Sequence, residues 1–212
     1  MKRESASVAK RPFHATSALA GLAVPGRLGK NGGDPGLVIE ERTGLGLATV
    51  AARKGQAEAL KRAVASAYGV ELSESSRVAH GPSVSFVGYG PGQWLAVSET
   101  LGNETLAGDL DENLRGLASI SDQSGGRAVL RLSGPHARAV LAKGLPIDLH
   151  PRIFKPGNAA TSTLSFMGVQ IWQVDDTPTY DLAFFRSVSA SFWHWLTTSA
   201  GEFGYEVVGG QR

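Results

Sequence analysis

Cysteine is absent from the 212-residue sequence, which excludes disulfides, thiolate metal sites, iron–sulfur clusters and a cysteine nucleophile. Charged residues are also scarce at 19%, whereas hydrophobic residues make up 42%, so a chain that is disordered throughout is excluded. No stretch approaches the roughly 20 apolar residues that a membrane helix needs. We therefore expect a globular cytoplasmic protein without a membrane partner.

Positive charge is concentrated at the N-terminus. Residues 1–30 hold six lysines and arginines against one glutamate, although the whole chain has a net charge of only +2. The remainder is net negative and lacks the basic face of a nucleic-acid-binding domain, so no nucleic-acid partner is expected. Glycine and proline are dense up to residue 36, which predicts a mobile basic arm over residues 1–36. A secretion signal is the alternative, but polar residues dilute its apolar run at residues 15–24.

From residue 37 the apolar pattern predicts alternating strands and helices. In the first half we expect strands over 37–42 and 45–53, a helix over 56–68, a hairpin over 83–98, a leucine-bearing helix from 103 and an extended segment over 117–121. In the second half we expect a strand over 127–132, a helix over 135–144, strands near 161–166, 169–175 and 180–185, a helix over 189–199 and a strand over 205–208.

The two halves, about 37–121 and 122–210, have the same order of elements. That order is the split βαβ pattern of ferredoxin-like units. Each half alone is near the lower size limit for a stable core, so we expect the halves to share strands or to pack their sheets together. The sequence therefore predicts an α+β fold of two intertwined ferredoxin-like strand–helix halves with mostly antiparallel sheets, forming one domain over 37–212.

Motifs for catalysis and cofactor binding are missing. The glycine pair Gly44 and Gly46 has Thr49 where a dinucleotide-binding turn needs a third glycine, and no phosphate-binding loop is present. No two of the five histidines lie four residues apart, and none sits beside a carboxylate pair at ligand spacing. We therefore predict no catalytic, cofactor-binding or metal-binding residue in this chain.

An aromatic cluster marks the last predicted helix. Phe192, Trp195 and Leu196 share one face at helical spacing and are expected in the core. Trp193 lies about 100° away from Phe192 and is expected on the flank of the helix. A tryptophan there is covered either by a neighbouring loop or by a partner chain, and the sequence leaves both open. Trp193 is therefore the candidate interface residue.

Several segments together resemble one family. The first is residues 121–144, Ser-Asp-Gln-Ser-Gly-Gly-Arg-Ala-Val-Leu-Arg-Leu-Ser-Gly-Pro-His-Ala-Arg-Ala-Val-Leu-Ala-Lys-Gly. The others are Ile-Asp-Leu-His-Pro at 147–151, Phe-Lys-Pro-Gly at 154–157, Arg-Ser at 186–187, Phe-Trp-His-Trp-Leu at 192–196 and Gly-Pro-Gly-Gln-Trp-Leu at 90–95. Taken together in their order along the chain, these segments resemble the gamma subunit of heterotetrameric sarcosine oxidase, over roughly residues 15–208.

The resemblance implies a fold like the folate-binding domain of glycine-cleavage aminomethyltransferases, in which two halves exchange their first strands. It implies a non-catalytic assembly subunit of a complex that oxidises sarcosine with oxygen and tetrahydrofolate to glycine, hydrogen peroxide and 5,10-methylenetetrahydrofolate. The implied partners are the alpha, beta and delta subunits, mainly alpha. FAD, FMN and NAD are then expected in alpha and beta, and zinc in delta, with no cofactor in this chain.

A second hypothesis is a stand-alone folate-dependent aminomethyl transferase. The folate-handling relatives that carry a Lys-Gly-Cys-Tyr-x-Gly-Gln segment have no match here, because cysteine is absent.

Overall fold

A computed structural model describes residues 16–30, 33–73, 76–103 and 105–209. The strands are β1 (Gly26–Leu28), β2 (Leu37–Glu41), β3 (Gly46–Ala52), β4 (Val78–Ala79), β5 (Ser85–Gly90), β6 (Gln93–Ser98), β7 (Ala118–Asp122), β8 (Arg127–Ser133), β9 (Ala159–Leu164), β10 (Met167–Asp175), β11 (Thr179–Phe185) and β12 (Tyr205–Val208). The helices are α1 (Ala57–Tyr68), α2 (Leu106–Asn113), α3 (Ala137–Ala142) and α4 (Ser189–Ala200).

These strands form two sheets. The seven-stranded sheet has the order β1-β12-β2-β8-β11-β10-β9, and the five-stranded sheet has the order β4-β5-β6-β3-β7. Every strand pair is antiparallel except β12 with β2. The predicted α+β class with mostly antiparallel sheets is confirmed.

The molecule has four layers, with the two sheets in the middle and a pair of helices on the outer face of each. Three hydrophobic clusters fill the spaces between these layers. Helices α3 and α4 pack on the seven-stranded sheet, with Val140 and Leu196 in one cluster with Leu130. Helices α1 and α2 pack on the five-stranded sheet, where Leu60 and Leu110 belong to a second cluster. A third cluster joins the two sheets face to face and contains Leu47, Val87, Leu95, Val129, Ala159, Trp172 and Ala183. The halves therefore share an interior between their sheets, as their small size led us to expect.

Strand β2 lies in the sheet of the other half. It runs antiparallel to β8, with Ile39 opposite Leu132, and parallel to β12, with Leu37 opposite Tyr205. Strand β7 makes the opposite crossing: it leads into β8, yet it pairs antiparallel with β3 in the five-stranded sheet. The strand exchange that the resemblance implied thus occurs in both directions, with β2 beside β8 and β7 beside β3.

The structure differs from the predicted mobile arm over the described part of residues 1–36. Leu19 is only 1% exposed and belongs to the cluster under α3 and α4. The Ser17 hydroxyl and the Leu19 amide both donate to the carboxylate of Glu41. Strand β1 extends the seven-stranded sheet by pairing with β12. Residues 16–30 are therefore part of the fold, whereas residues 1–15 of the predicted arm lie outside the described residues.

Candidate functional site

The buried face of α4 fixes the position of its aromatic side chains. Phe192 is fully buried and stacks on Phe184 of β11, with ring centroids 3.9 Å apart and planes 5° apart. Leu196, one turn later, is also fully buried. The prediction that Phe192 and Leu196 belong to the core is confirmed.

The two tryptophans of α4 occupy opposite flanks of that buried face. Both Trp193 and Trp195 are half-buried and pack against the edge of the core cluster. The prediction of a core position for Trp195 was therefore wrong, because helical spacing gives the angle of a side chain but not the width of the buried face. The structure contains no partner chain, so the interface role of Trp193 stays a prediction.

Trp195 borders an open groove of about 600 Å³ beside α4. The groove is lined by Ser165, Met167, Ala190, Ser191, His194, Trp195, Thr198 and Ser199. On its other side Trp195 packs against Gly144 so closely that a Cβ built on Gly144 would lie 2.7 Å from Cζ2 of the indole. Gly144 therefore makes room for the indole that forms one wall of the groove.

A larger cavity of about 1120 Å³ opens where the chain passes from β2 to β3, and thus from one sheet to the other. Side chains from both sheets line it, including Arg42 and Glu99. Arg127 and Arg131 contribute from β8. It is more highly charged than the groove beside α4.

One carboxylate neutralises two of these arginines. Asp181 of β11 accepts bonds of 2.7 and 2.8 Å from Nε and Nη2 of Arg131, and Arg42 Nη1 lies 3.6 Å from it. Arg42 also bonds Glu99. The hydrogen bonds to Asp181 raise the pKa of the Arg131 guanidinium, although burial opposes this shift. Arg42 and Arg131 are thus paired with fixed carboxylates, an arrangement that is typical of ion pairs with a structural role.

No sequence motif indicated this cluster of charged residues. Arg42, Arg131 and Asp181 are far apart along the chain, and the sheet pairing of β2, β8 and β11 brings them together. Taken singly, each of these residues occupies an ordinary position in or next to a predicted strand. A signal could have come only from predicting the strand register, which places Asp181 directly opposite Arg131.

The histidines that the structure describes do not converge on a site. His136 stacks on Phe203 with ring centroids 4.5 Å apart, and Nδ1 of His80 lies 3.3 Å from the hydroxyl of Ser85. His194 is exposed on the groove. In the described part of the chain, no group of three or more histidine or carboxylate side chains could hold a metal ion. None of the described helices is both long and apolar enough to span a membrane.

Similar sequences support the predicted resemblance. The model of the sarcosine oxidase gamma subunit family matches residues 53–202. The gamma subunit of sarcosine oxidase from Arthrobacter sp. is 34% identical over 169 residues, which cover 78% of this chain and 79% of the relative. The gamma subunit from Corynebacterium sp. strain P-1 is 34% identical over 151 residues, covering 69% and 72%.

Solved structures agree with the sequence relatives. A chain of the heterotetrameric sarcosine oxidase from Corynebacterium sp. U-96 matches with a TM-score of 0.75 and 28% identity, over 89% of this chain and 96% of that one. Aminomethyltransferase T of the glycine cleavage system from Bartonella henselae matches with a TM-score of 0.57 at 15% identity, over 79% of this chain and 49% of that one. The second match shows the fold alone and confirms the predicted likeness to aminomethyltransferase domains.

These matches extend over most of the chain and over most of each sarcosine oxidase relative. They support a subunit of an oxidoreductase complex and do not support the stand-alone transferase. The chain belongs to the sarcosine oxidase gamma subunit family.

Proposed function

We propose that this chain is the non-catalytic assembly subunit of a heterotetrameric sarcosine oxidase. The observation that carries the proposal is the match to one chain of such a heterotetramer over 89% of this chain and 96% of that one. A match along nearly the whole of both chains supports the same role for both.

The local chemistry is consistent with a structural role. In the larger cavity Arg42 and Arg131 are held by Asp181, so these charges stabilise strand pairing. On the five-stranded sheet the hydroxyl of Tyr68 donates to Asp109 at 2.7 Å and accepts from the amide of Asn113 at 3.3 Å. Burial raises the pKa of Tyr68, and the contact with Asp109 adds to that shift. A phenol held protonated in this way locks α1 to α2.

The partners in this proposal are the alpha, beta and delta subunits, with alpha making the main contact. The complex oxidises sarcosine with oxygen and tetrahydrofolate to glycine, hydrogen peroxide and 5,10-methylenetetrahydrofolate. In the proposal FAD, FMN and NAD belong to alpha and beta, zinc belongs to delta, and the complex is cytoplasmic.

We propose Trp193 as a residue of the subunit interface. Its indole is half-buried on the flank of α4, so a partner could bury the remaining surface without any change in the fold. Large aromatic side chains that become fully enclosed dominate the energy of subunit interfaces. We expect Trp193→Ala to weaken association by about 2 kcal/mol, which corresponds to a roughly thirty-fold loss of affinity.

One test addresses the assembly role of the chain, and a second addresses the interface role of Trp193. First, the chain is produced alone and together with the other three subunits, and the products are compared by size, flavin absorbance and sarcosine-dependent peroxide formation. We expect the chain alone to be colourless and inactive, and the set without this chain to assemble poorly. Bound flavin or peroxide formation by the chain alone would contradict the non-catalytic assignment.

Second, Trp193→Ala and Trp195→Ala are compared as a matched pair, because both indoles are half-buried on the same helix. Affinity for the alpha subunit is measured with the unfolding midpoint of each variant. A selective loss of affinity in Trp193→Ala supports the proposed interface. A selective loss in Trp195→Ala would move the interface to the groove on the other flank.

A further inference from the structure

Arg127 is a buried arginine without an acidic partner. It is the first residue of β8, it is 7% exposed, and it lines the larger cavity. Its side chain makes one hydrogen bond within the described part of the chain, from Nη2 to the hydroxyl of Tyr89 at 3.4 Å, and its enclosed Nε has no acceptor there. Within the described residues no carboxylate oxygen lies within 4.0 Å of its nitrogens.

Such an arrangement is costly without a ligand. A guanidinium carries five N–H donors in one plane, and a charge removed from water needs hydrogen bonds and a counter-charge. Two aromatic rings provide part of the compensation, since the guanidinium carbon lies 4.6 Å from the ring centre of Phe185 and 5.5 Å from that of Tyr89. These rings attract the cation through their π-faces but cannot satisfy the remaining in-plane donors.

Arg131 shows what Arg127 lacks. The two residues lie four positions apart on β8, on the same face of the strand, and both line the cavity. Arg131 binds both oxygens of Asp181 across the strand pair. The residue opposite Arg127 in the same pair is Phe185, which has no carboxylate. Of these two arginines on one face of β8, Arg127 is therefore the one without a counter-ion among the described residues.

The surroundings select the kind of anion. Three glutamates of the lining, Glu40, Glu41 and Glu99, are matched by three further arginines, Arg42, Arg131 and Arg186. Arg127 therefore leaves one positive charge in excess, which suits a monoanion better than a dianion such as phosphate. A single planar carboxylate matches the fork of the guanidinium and adds only one charge. Phe185, which is 46% exposed beside the guanidinium, offers apolar surface to the rest of the ligand.

We propose that Arg127 is an anion-binding residue that takes a carboxylate with an adjoining apolar part into this cavity. Two sources share that chemistry: a small organic acid, and the acidic side chain of a partner subunit. The inference does not depend on the proposed assembly role, because its first test uses the full chain alone.

The first test is thermal unfolding of the full chain with benzoate at constant ionic strength. At ten times its dissociation constant, benzoate should raise Tm by about 3–6 °C. Benzamide, which has the same shape without the charge, and phosphate should give no shift. Arg127→Met should abolish the shift, and Arg127→Lys, which keeps the charge but not the fork, should weaken benzoate binding at least ten-fold.

Arg186→Met is the matched control, because Arg186 lines the same cavity but is exposed and donates to the carbonyl of Ser17. It should keep the benzoate shift. If Arg186→Met also loses the benzoate shift, or if phosphate and benzoate give equal shifts, the effect comes from the summed charge of the cavity and not from Arg127. Either result would overturn the proposal. If Arg127→Met does not fold, Arg127→Lys decides.

The second test separates the two sources by equilibrium dialysis of benzoate against the assembled complex. Binding that persists in the complex assigns the site to a small acid. Binding that is lost on assembly, together with at least ten-fold weaker assembly of Arg127→Met, assigns it to a side chain of a partner. No benzoate shift in the chain, combined with unchanged assembly of Arg127→Met, would overturn the proposal.

Discussion

Arg131 and Asp181 face each other at paired positions of β8 and β11, and two hydrogen bonds of 2.7 and 2.8 Å join their side chains. The same carboxylate also lies 3.6 Å from Arg42, at the end of β2. One acidic side chain therefore connects three neighbouring strands, including the strand that crosses from the first half.

Replacing Asp181 by asparagine should lower the free energy of unfolding by about 3 kcal/mol, because two arginines lose their shared counter-charge in a partly buried place. Urea unfolding measures the loss. Glu99→Gln is the control: Glu99 bonds Arg42 from an exposed position, so its loss should cost less than about 1 kcal/mol. Equal losses in the two variants would contradict the central role of Asp181.

Tyr68→Phe should destabilise the chain by about 1 kcal/mol at neutral pH, through loss of the hydrogen bond to Asp109. Burial and Asp109 raise the pKa of Tyr68 in the folded state, so its stabilising effect is complete below the ordinary tyrosine pKa of about 10. As the pH rises above that value, the unfolded state ionises first and the effect is lost. The difference in unfolding free energy between wild type and Tyr68→Phe should therefore shrink above pH 10. A difference that grows there would contradict the direction of the shift.

Gly144→Ala should destabilise the chain by about 1–3 kcal/mol and change the fluorescence of Trp195, because the added methyl would lie 2.7 Å from the indole. Gly108→Ala is the matched control. Gly108 lies within α2 with open space around it, so alanine there should stabilise by about 0.5–1 kcal/mol. Wild-type stability in Gly144→Ala would show that the indole moves away freely.

Leu19→Ala should cost about 2–5 kcal/mol of unfolding free energy, because Leu19 is 1% exposed within the core cluster. Leu22, three residues later, is 40% exposed, and Leu22→Ala should change the stability by no more than about 0.5 kcal/mol. If both changes have equally small effects on the unfolding free energy, the result would support the mobile arm that the sequence predicted for this segment.

Phe166→Gly should stabilise the chain alone by about 1 kcal/mol. Ser165 and Phe166 form the two-residue turn between β9 and β10, with φ angles of 46° and 68°, and Phe166 is 99% exposed. Glycine adopts this left-handed backbone without the steric cost that phenylalanine carries. Thr163→Gly, in the adjoining strand, should instead destabilise by up to about 1 kcal/mol. Denaturant unfolding of the two variants should therefore give shifts of opposite sign.

Local signals in the sequence predicted most of the elements. The helical spacing of Leu60 and Val64 predicts α1, because this pattern acts within a few residues. The glycine that follows, Gly69, has the left-handed φ that ends the helix. Strand β1 and the packing of Leu19 were missed, because a three-residue edge strand is stabilised by its distant partner β12 and not by its own pattern.

The candidate sites were less accessible to sequence reasoning. Trp193 was found from helical spacing, but the similar burial of Trp195 depends on how α4 tilts against its neighbours and on the space left by Gly144. The unpaired state of Arg127 depends on the register that places Phe185 opposite it. Such a relationship exists only once the sheet has formed.

The crossing of β2 has a consequence for synthesis on the ribosome. This strand ends at Glu41, whereas one of its neighbours, β12, begins at Tyr205 and is therefore translated much later. Translation proceeds at about 5–20 residues per second, so β2 remains without β12 for roughly 8–33 seconds. The five-stranded sheet has no such delay, because all its strands lie between residues 46 and 122. Nascent chains should therefore complete that sheet first and remain prone to mispairing at β2 until β12 has emerged.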